Sequence, residues 1–279
     1  MARIRVLTDS ASDIPESIVR ELDIAVVSLS IRFGEEEFTE RNQLSPAEFW
    51  AKCKKSKVLP ETAAPSPGSF QAAFQQAAND GCDGVLVLTL SAVLSATNQA
   101  ATLAAEAMHD IIPVRVIDTQ AVSMALGLLV IEIAEMARTG ADLDVLATKA
   151  LSLIDHVGVC ATLDTLEHLV KGGRVGGARA LLGQVLSIKP LLELKDGVVA
   201  EAGRQRTRAK ALAAIAEVAR SHAPLRRLAV VHGDANDVKA LTDLVADIPS
   251  EFPLIVTDIG PVVGTHGGPG IIGLCWVEA

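Results

Sequence analysis

Gly84-Val85-Leu86-Val87-Leu88-Thr89-Leu90 is an unbroken apolar run of strand length, and its reading decides the fold class. A strand without alternation is buried on both faces, which is the signature of a parallel sheet with cover above and below. The residues that follow keep to this reading. Thr97 to Met108 carries helical periodicity, and Pro113-Val114-Arg115-Val116-Ile117-Asp118 is a second apolar run. Strand, helix and strand in succession predict an α/β chain whose first sheet is parallel and covered by helices.

Working outward, Ile4 to Thr8 is a short apolar strand, and Ile24 to Phe33 holds two more strand-like runs. Ser12 or Asp13 can cap a helix in which Pro15 takes the first turn. Ser45-Pro46-Ala47-Glu48 is a capping box with proline at the first helical position. Ser66-Pro67-Gly68-Ser69 opens another helix, and Gly81 closes it. Helices are also expected over Thr119 to Arg138 and Leu143 to His156. The pattern then changes. Val157 to Thr162 and Val185 to Leu194 read as strands, and Lys195-Asp196-Gly197-Val198 is a hairpin turn. Helix 206–222, strand Leu228 to His232, helix 236–246, strand Leu254 to Thr257 and a strand over 271–277 complete the chain. Hairpins mixed with helices predict a second α/β layer with a mixed sheet. Two domains, residues 1–155 and 156–279, are expected, with a ligand cleft between them.

Composition narrows the function. The chain has 279 residues, 49% hydrophobic and 21% charged, with 3% aromatics and no tyrosine. Its interior must therefore be filled by aliphatic side chains, which suits an aliphatic cavity better than a stacking platform for single-stranded nucleic acid. A net charge of −9 also counts against a polyanionic partner. The first residues lead into a strand without a signal-peptide pattern, and the longest uncharged apolar run, Thr119 to Ile131, has thirteen residues. That falls short of the ~20 needed to span a bilayer, so stable membrane insertion is not expected. Cys53, Cys82, Cys160 and Cys275 are scattered without metal-type spacing and read as buried, reduced thiols of a cytoplasmic protein. Charge is uneven: Lys171 to Lys210 carries nine basic and three acidic residues, leaving −15 for the remainder. This segment is either a solvated face or a docking surface.

Four polar stretches lie at strand ends or helix starts. They are Thr8 to Ser12, Thr62 to Gly68, Leu90 to Asn98, and Gly264-Thr265-His266-Gly267-Gly268-Pro269-Gly270. Hydroxyls and free amides at helix N-termini suit a carboxylate or phosphate, and glycines let backbone approach a ligand closely. Each stretch also has a plainer account. Ser66 and Ser95 can be ordinary helix caps, His266 can sit in an exposed turn, and Lys171-Gly172-Gly173-Arg174 can be a simple reversal. Nucleophile-elbow, Walker-type and dinucleotide motifs are missing, and His and carboxylate spacing suggests no metal site. The residues point to a binder.

Taken in order, these stretches resemble the DegV family. The matching residues are Thr8-Asp9-Ser10-Ala11-Ser12-Asp13-Ile14, Thr62-x-x-Pro65-Ser66-Pro67-Gly68, Leu94-Ser95-x-Thr97 with Ala100, and Val116-Ile117-Asp118-Thr119. Lys171-Gly172-Gly173-Arg174-Val175, Ile188-Lys189-Pro190-Leu191, Arg206-Thr207 and Val263 to Gly270 continue the match. The resemblance implies two α/β domains with an acyl chain buried between them. It implies that Thr62, Ser95 and His266 hold a long-chain fatty-acid carboxylate, with Ser66, Thr97 and Gly267 in supporting loops. It further implies a separate ATP-using kinase subunit that phosphorylates that carboxylate, docking near Arg174 and Lys171. No catalytic residue, metal or cofactor beyond the fatty acid is expected of the chain itself. The sequence departs from the family pattern at Ala63-Ala64, where a polar pair is usual, at Ala96 for glycine, at Asn98 for an aromatic, and at Lys171 for arginine.

Magnitudes fit that division of labour. An acyl chain with about fourteen buried methylenes offers up to ~11 kcal/mol at ~0.8 kcal/mol each. A hydrogen bond to a charged group adds only ~1.5–3 kcal/mol. The cavity supplies affinity and the polar residues choose which end faces out. Two rival readings are a carrier of another apolar carboxylate or lipid without a kinase partner, and a stand-alone hydrolase or kinase-like enzyme using Ser95 and His266.

Overall fold

The computed structural model describes residues 2–181 and 188–279. Its first half runs through β1 (Ile4–Asp9), α1 (Glu16–Glu21), β2 (Ala25–Val27), β3 (Ser30–Phe33), β4 (Glu36–Thr39) and α2 (Pro46–Lys55). It continues through β5 (Glu61–Ala63), α3 (Pro67–Asn79), β6 (Gly84–Thr89), α4 (Thr97–Ala107), β7 (Val114–Asp118), α5 (Met124–Ala137) and α6 (Leu143–Leu153). The second half holds β8 (Val157–Thr162), α7 (Glu167–Lys171), β9 (Lys189–Lys195), β10 (Val198–Gln205), α8 (Arg208–Ser221) and β11 (Leu225–Gly233). It ends with α9 (Val238–Val245), β12 (Ile255–Asp258), α10 (Pro261–Gly267) and β13 (Ile271–Glu278).

The first sheet has the order β2-β1-β6-β7 with every neighbour parallel. All six residues of β6 are buried, as its unbroken apolar sequence requires. Helices α3 and α4 cover one face, with Phe70, Phe74 and Ala101 against Val85 and Val87. The second sheet, β10-β9-β8-β13-β11-β12, is mixed: only β11 and β12 are parallel. The chain is therefore an α/β protein with one parallel and one mixed sheet.

Helix α5 joins them. Its residues Met124 to Ala134 are buried all round, and it packs on β1 of one sheet and on β8 and β13 of the other. A helix that is apolar on every side belongs inside. Its one deeply buried acid, Glu132, is matched by Arg227 and, at 2.6 Å, by Arg226. Arg227 also lies 3.7 Å from the Phe252 ring centroid, so the buried charge is both paired and covered.

The capping box at Ser45 and the Ser66 cap form as expected, and Asp196 and Gly197, both at positive φ, make the hairpin turn. Five points differ from expectation. Neither Ser12 nor Asp13 caps α1: Asp9 caps a short 3-10 turn at Ser10–Ser12, Asp13 takes φ 52°, and Pro15 itself precedes the helix. Helix α5 starts at Met124 and not Thr119, because Gln120 and Ser123 both have positive φ. Cys53 and Cys82 are only half-buried. The antiparallel sheet β4-β3-β5 was not anticipated. The strand expected from Val185 begins at Lys189, and residues 182–187 lie outside the described residues.

Candidate functional site

The glycine-rich stretch around His266 is not a loop but the short helix α10. Gly260 occupies its N-cap with φ −68°, Pro261 opens its first turn, and Gly268 at φ 75° ends it. Its glycines serve packing. A Cβ on Gly264 would stand 2.9 Å from Phe49 and Trp50, and one on Gly267 would stand 2.4 Å from Ile271. The helix thus lies close against α2 and the start of β13, with its last turn carrying His266.

Beneath α10, between the two sheets, is a cavity of about 130 Å³. It has room for on the order of ten water-sized spheres, far beyond a packing defect. Leu29, Leu90 and Val122 from the first half face Val159, Leu192 and Val231 from the second. Thr62, Ser95, Ser123, Arg174, Glu193 and His266 are the polar side chains on its wall. Such a chamber, aliphatic with a few convergent polar groups, is the ordinary form of a small-ligand site.

His266 and Thr62 meet at the site's polar end. His266 Nε2 and Thr62 Oγ1 are hydrogen-bonded at 2.9 Å, joining residues 204 apart in sequence. Thr62 lies on β5, a three-residue strand paired with β3 through Ile31. Burial, aided by the charges of Arg174 and His168, pushes the imidazole down to about 4, so the ring is neutral at physiological pH. Its Nδ1 is buried without a hydrogen-bond partner. Gly172 makes room for the ring, since a Cβ there would fall 2.3 Å from Nδ1.

Ser95 approaches from the loop before α4. Its hydroxyl lies 2.8 Å from Thr97 Oγ1 and accepts the Thr97 N–H at 3.3 Å, so it tends the helix start from one residue before the Ala96 cap position. Ser95 and His266 line the same cavity but each is hydrogen-bonded elsewhere. Thr97 is the first residue of α4 and fully buried, and Asn98 donates to Thr89 Oγ1 at 3.0 Å. Ser66 caps α3 through the Ser69 N–H and is exposed. The three positions expected in supporting loops are therefore a helix cap (Ser66), a helix start (Thr97) and a helix end (Gly267).

Arg174 lines the cavity. Its Nε donates to Leu94 O at 3.0 Å and its Nη1 to Gly172 O at 2.5 Å, tying the Gly172-Gly173 turn to the Ser95 loop. Gly173 takes φ 72°, which lets the chain double back after α7 and brings Arg174 inward. Lys171 is exposed and ion-paired with Glu167 at 2.9 Å. Elsewhere in the basic segment Lys189 pairs with Asp164 and Arg208 with Asp237. Much of the local positive charge is thus compensated.

Ser123 escaped sequence reasoning. It holds φ 56° and ψ −148°, a combination glycine favours, with its hydroxyl on Asp13. A serine before an apolar helix gives no hint of that conformation. Among the described residues no group of three or more His, Cys, Asp or Glu could hold a metal ion, and no helix is long and apolar enough to cross a membrane.

Comparison with known proteins agrees with this architecture. The DegV family model matches residues 3–279. A DegV domain-containing protein of Streptomyces coelicolor is 34% identical over 276 residues, 97% of each chain. A Thermus thermophilus DegV family protein whose structure is described for its fatty acid binding superposes with a TM-score of 0.91 at 33% identity, covering 99% of this chain and 100% of that one. A fatty acid binding DegV family protein from Streptococcus agalactiae gives a TM-score of 0.90 at 29% identity over the full length of both. Sequence and backbone agree from end to end, and the chain belongs to the DegV family.

Proposed function

We propose that this chain binds one long-chain fatty acid and presents its carboxylate to a separate ATP-dependent kinase subunit, which converts it to an acyl phosphate. The observation that carries the reading is the aliphatic cavity that reaches the Thr62–His266 pair. The fatty acid binding described for the Thermus thermophilus and Streptococcus agalactiae relatives supports it. The acyl chain lies between the halves 1–155 and 156–279, taken as two domains, and the carboxylate is held by Thr62, Ser95 and His266. A neutral imidazole orients the carboxylate without giving up a proton to it. The carboxylate oxygen keeps its charge for attack on the γ-phosphorus, with ADP leaving.

Arg174 plays two parts in this reading. It steadies the anionic head group from the cavity wall, and with exposed Lys171 it marks the face where the kinase subunit docks. The chain works in the cytoplasm, where ATP is available, and makes no phosphoryl transfer alone. The test mixes purified protein, oleate and ATP with and without an ATP-using kinase subunit from the same organism, trapping acyl phosphate with hydroxylamine. Hydroxamate is expected only in the complete mixture, and Arg174→Glu is expected to lower both its formation and oleate binding. Hydroxamate or ATP turnover from the isolated chain would overturn the reading in favour of a stand-alone enzyme. Oleate binding with no turnover in the complete mixture would leave a carrier alone.

A further inference from the structure

The helix that carries His266 is held at its other end by two carboxyl groups that the site itself does not use. Asp13 Oδ1 accepts the Gly260 N–H at 2.9 Å, and Glu40 Oε1 accepts the Val262 N–H at 2.8 Å. Both residues are buried and come from the first half of the chain, 247 and 222 residues away from the amides they receive. They satisfy backbone donors that the first turn of α10 leaves free. The fit is close: a Cβ on Gly260 would stand 2.7 Å from Glu40 Oε1 and 2.9 Å from Asp13 Oδ1. Asp13 is fixed in turn by the Ser123 hydroxyl, which donates to Oδ2 at 2.6 Å from a residue on the cavity wall. Arg41, next along the chain, donates to Ile14 O, and its charge acts on both carboxyls.

The geometry points to Asp13 and Glu40 as positioning residues for the carboxylate site: by clamping the N-terminal turn of α10 they keep His266, at the last turn of the same helix, in line with Thr62. The helix is only seven residues long and its far end abuts Gly172, so a shift at Gly260 is passed to the imidazole with little to absorb it. Asp13 uses both oxygens as acceptors. An amide there keeps the Gly260 contact through its oxygen and turns its NH2 to the Ser123 hydroxyl, so the short 2.6 Å contact must reverse and lengthen even in the isosteric Asn. Glu40 Oε2 has no partner, and Gln can keep the Val262 contact through its carbonyl oxygen. Asp13→Asn is therefore expected to act more strongly than Glu40→Gln.

This inference rests on the fatty-acid reading, and its test separates the two. Oleate labelled with carbon-13 at C1 is bound to wild type, Asp13→Asn, Glu40→Gln, Gly260→Ala and His266→Ala, and both affinity and the carboxyl NMR signal are read. Gly260→Ala keeps a backbone angle that alanine adopts freely and disturbs chiefly the two carboxyls, so it serves if the acidic variants do not fold. The expected result for Asp13→Asn and Gly260→Ala is a carboxyl signal displaced toward that of His266→Ala, with binding weakened about three- to tenfold, less than the loss of a whole hydrogen bond to a charged group because the contact is misaligned and not removed. Glu40→Gln is expected to show a smaller displacement in the same direction. Folded Asp13→Asn or Gly260→Ala protein with the wild-type carboxyl signal, while His266→Ala shifts it, would overturn the positioning role and leave the fatty-acid reading standing. Failure of wild type to bind oleate would overturn both.

Discussion

Ala161→Phe is expected to lower affinity for oleate by roughly 100-fold while leaving the fold intact. Ala161 is on β8, in the cavity wall beside Val159. A phenyl ring there fills space the acyl chain would occupy. Displacing about four methylenes at ~0.8 kcal/mol each removes ~3 kcal/mol, or about two powers of ten in affinity. The ring enters an existing cavity and not a packed core, so the cost of overpacking is largely avoided. Equilibrium displacement of a fluorescent fatty acid measures the loss, and thermal unfolding checks the fold. Wild-type affinity in the folded variant would mean that the acyl chain lies elsewhere.

A second large effect is expected on stability against pH. Burial raises Asp9 and Asp13 to about 7 and Glu40 to about 8 in the folded chain. In the unfolded chain they keep the ordinary carboxyl values of 3.8 and 4.5. Between those limits the native state binds more protons than the unfolded one. The stability that these groups contribute is full at low pH and is lost as pH rises through their folded values. His266 acts in the opposite sense, but only as pH falls from 6.5 toward about 4. The window from pH 6.5 to 8 therefore belongs to the buried carboxyls, which together lose roughly 2–3 kcal/mol across it. A melting temperature lower by about 5 °C at pH 8 than at pH 6.5 is expected, with Glu40→Gln flattening the difference. An equal or higher melting temperature at pH 8 would contradict this account of the cluster.

Much of the fold was legible because its signals are local. The unbroken apolar run at Gly84–Leu90 can only be a strand covered on both faces, and it is. Ser45 with Glu48, Ser66 with Pro67, and Asp196 with Gly197 each carry their structural instruction within four residues. Thr62 and His266 stood out as polar residues in unusual stretches, but their surroundings were misread. Thr62 sits on a three-residue strand whose identity comes only from pairing with Ile31. The helix at Pro261–Gly267 hides among glycines that look like a loop until Phe49, Trp50 and Ile271 are seen pressed against them. Arg174 drew notice for its charge, whereas its inward course depends on the turn at Gly173 and on a carbonyl 80 residues away. Asp13 read as a helix cap, and Glu40 gave no signal, because the amides they receive lie more than two hundred residues further on. Local pattern specifies elements; the site is made by contacts between elements remote in sequence.

Native mass spectrometry of the protein purified from bacterial cells, followed by lipid extraction, tests the central claim most directly. The account predicts one long-chain fatty acid per chain, released on denaturation and exchanged by added oleate. Only the bare chain mass, with no uptake of oleate added in excess, would contradict it.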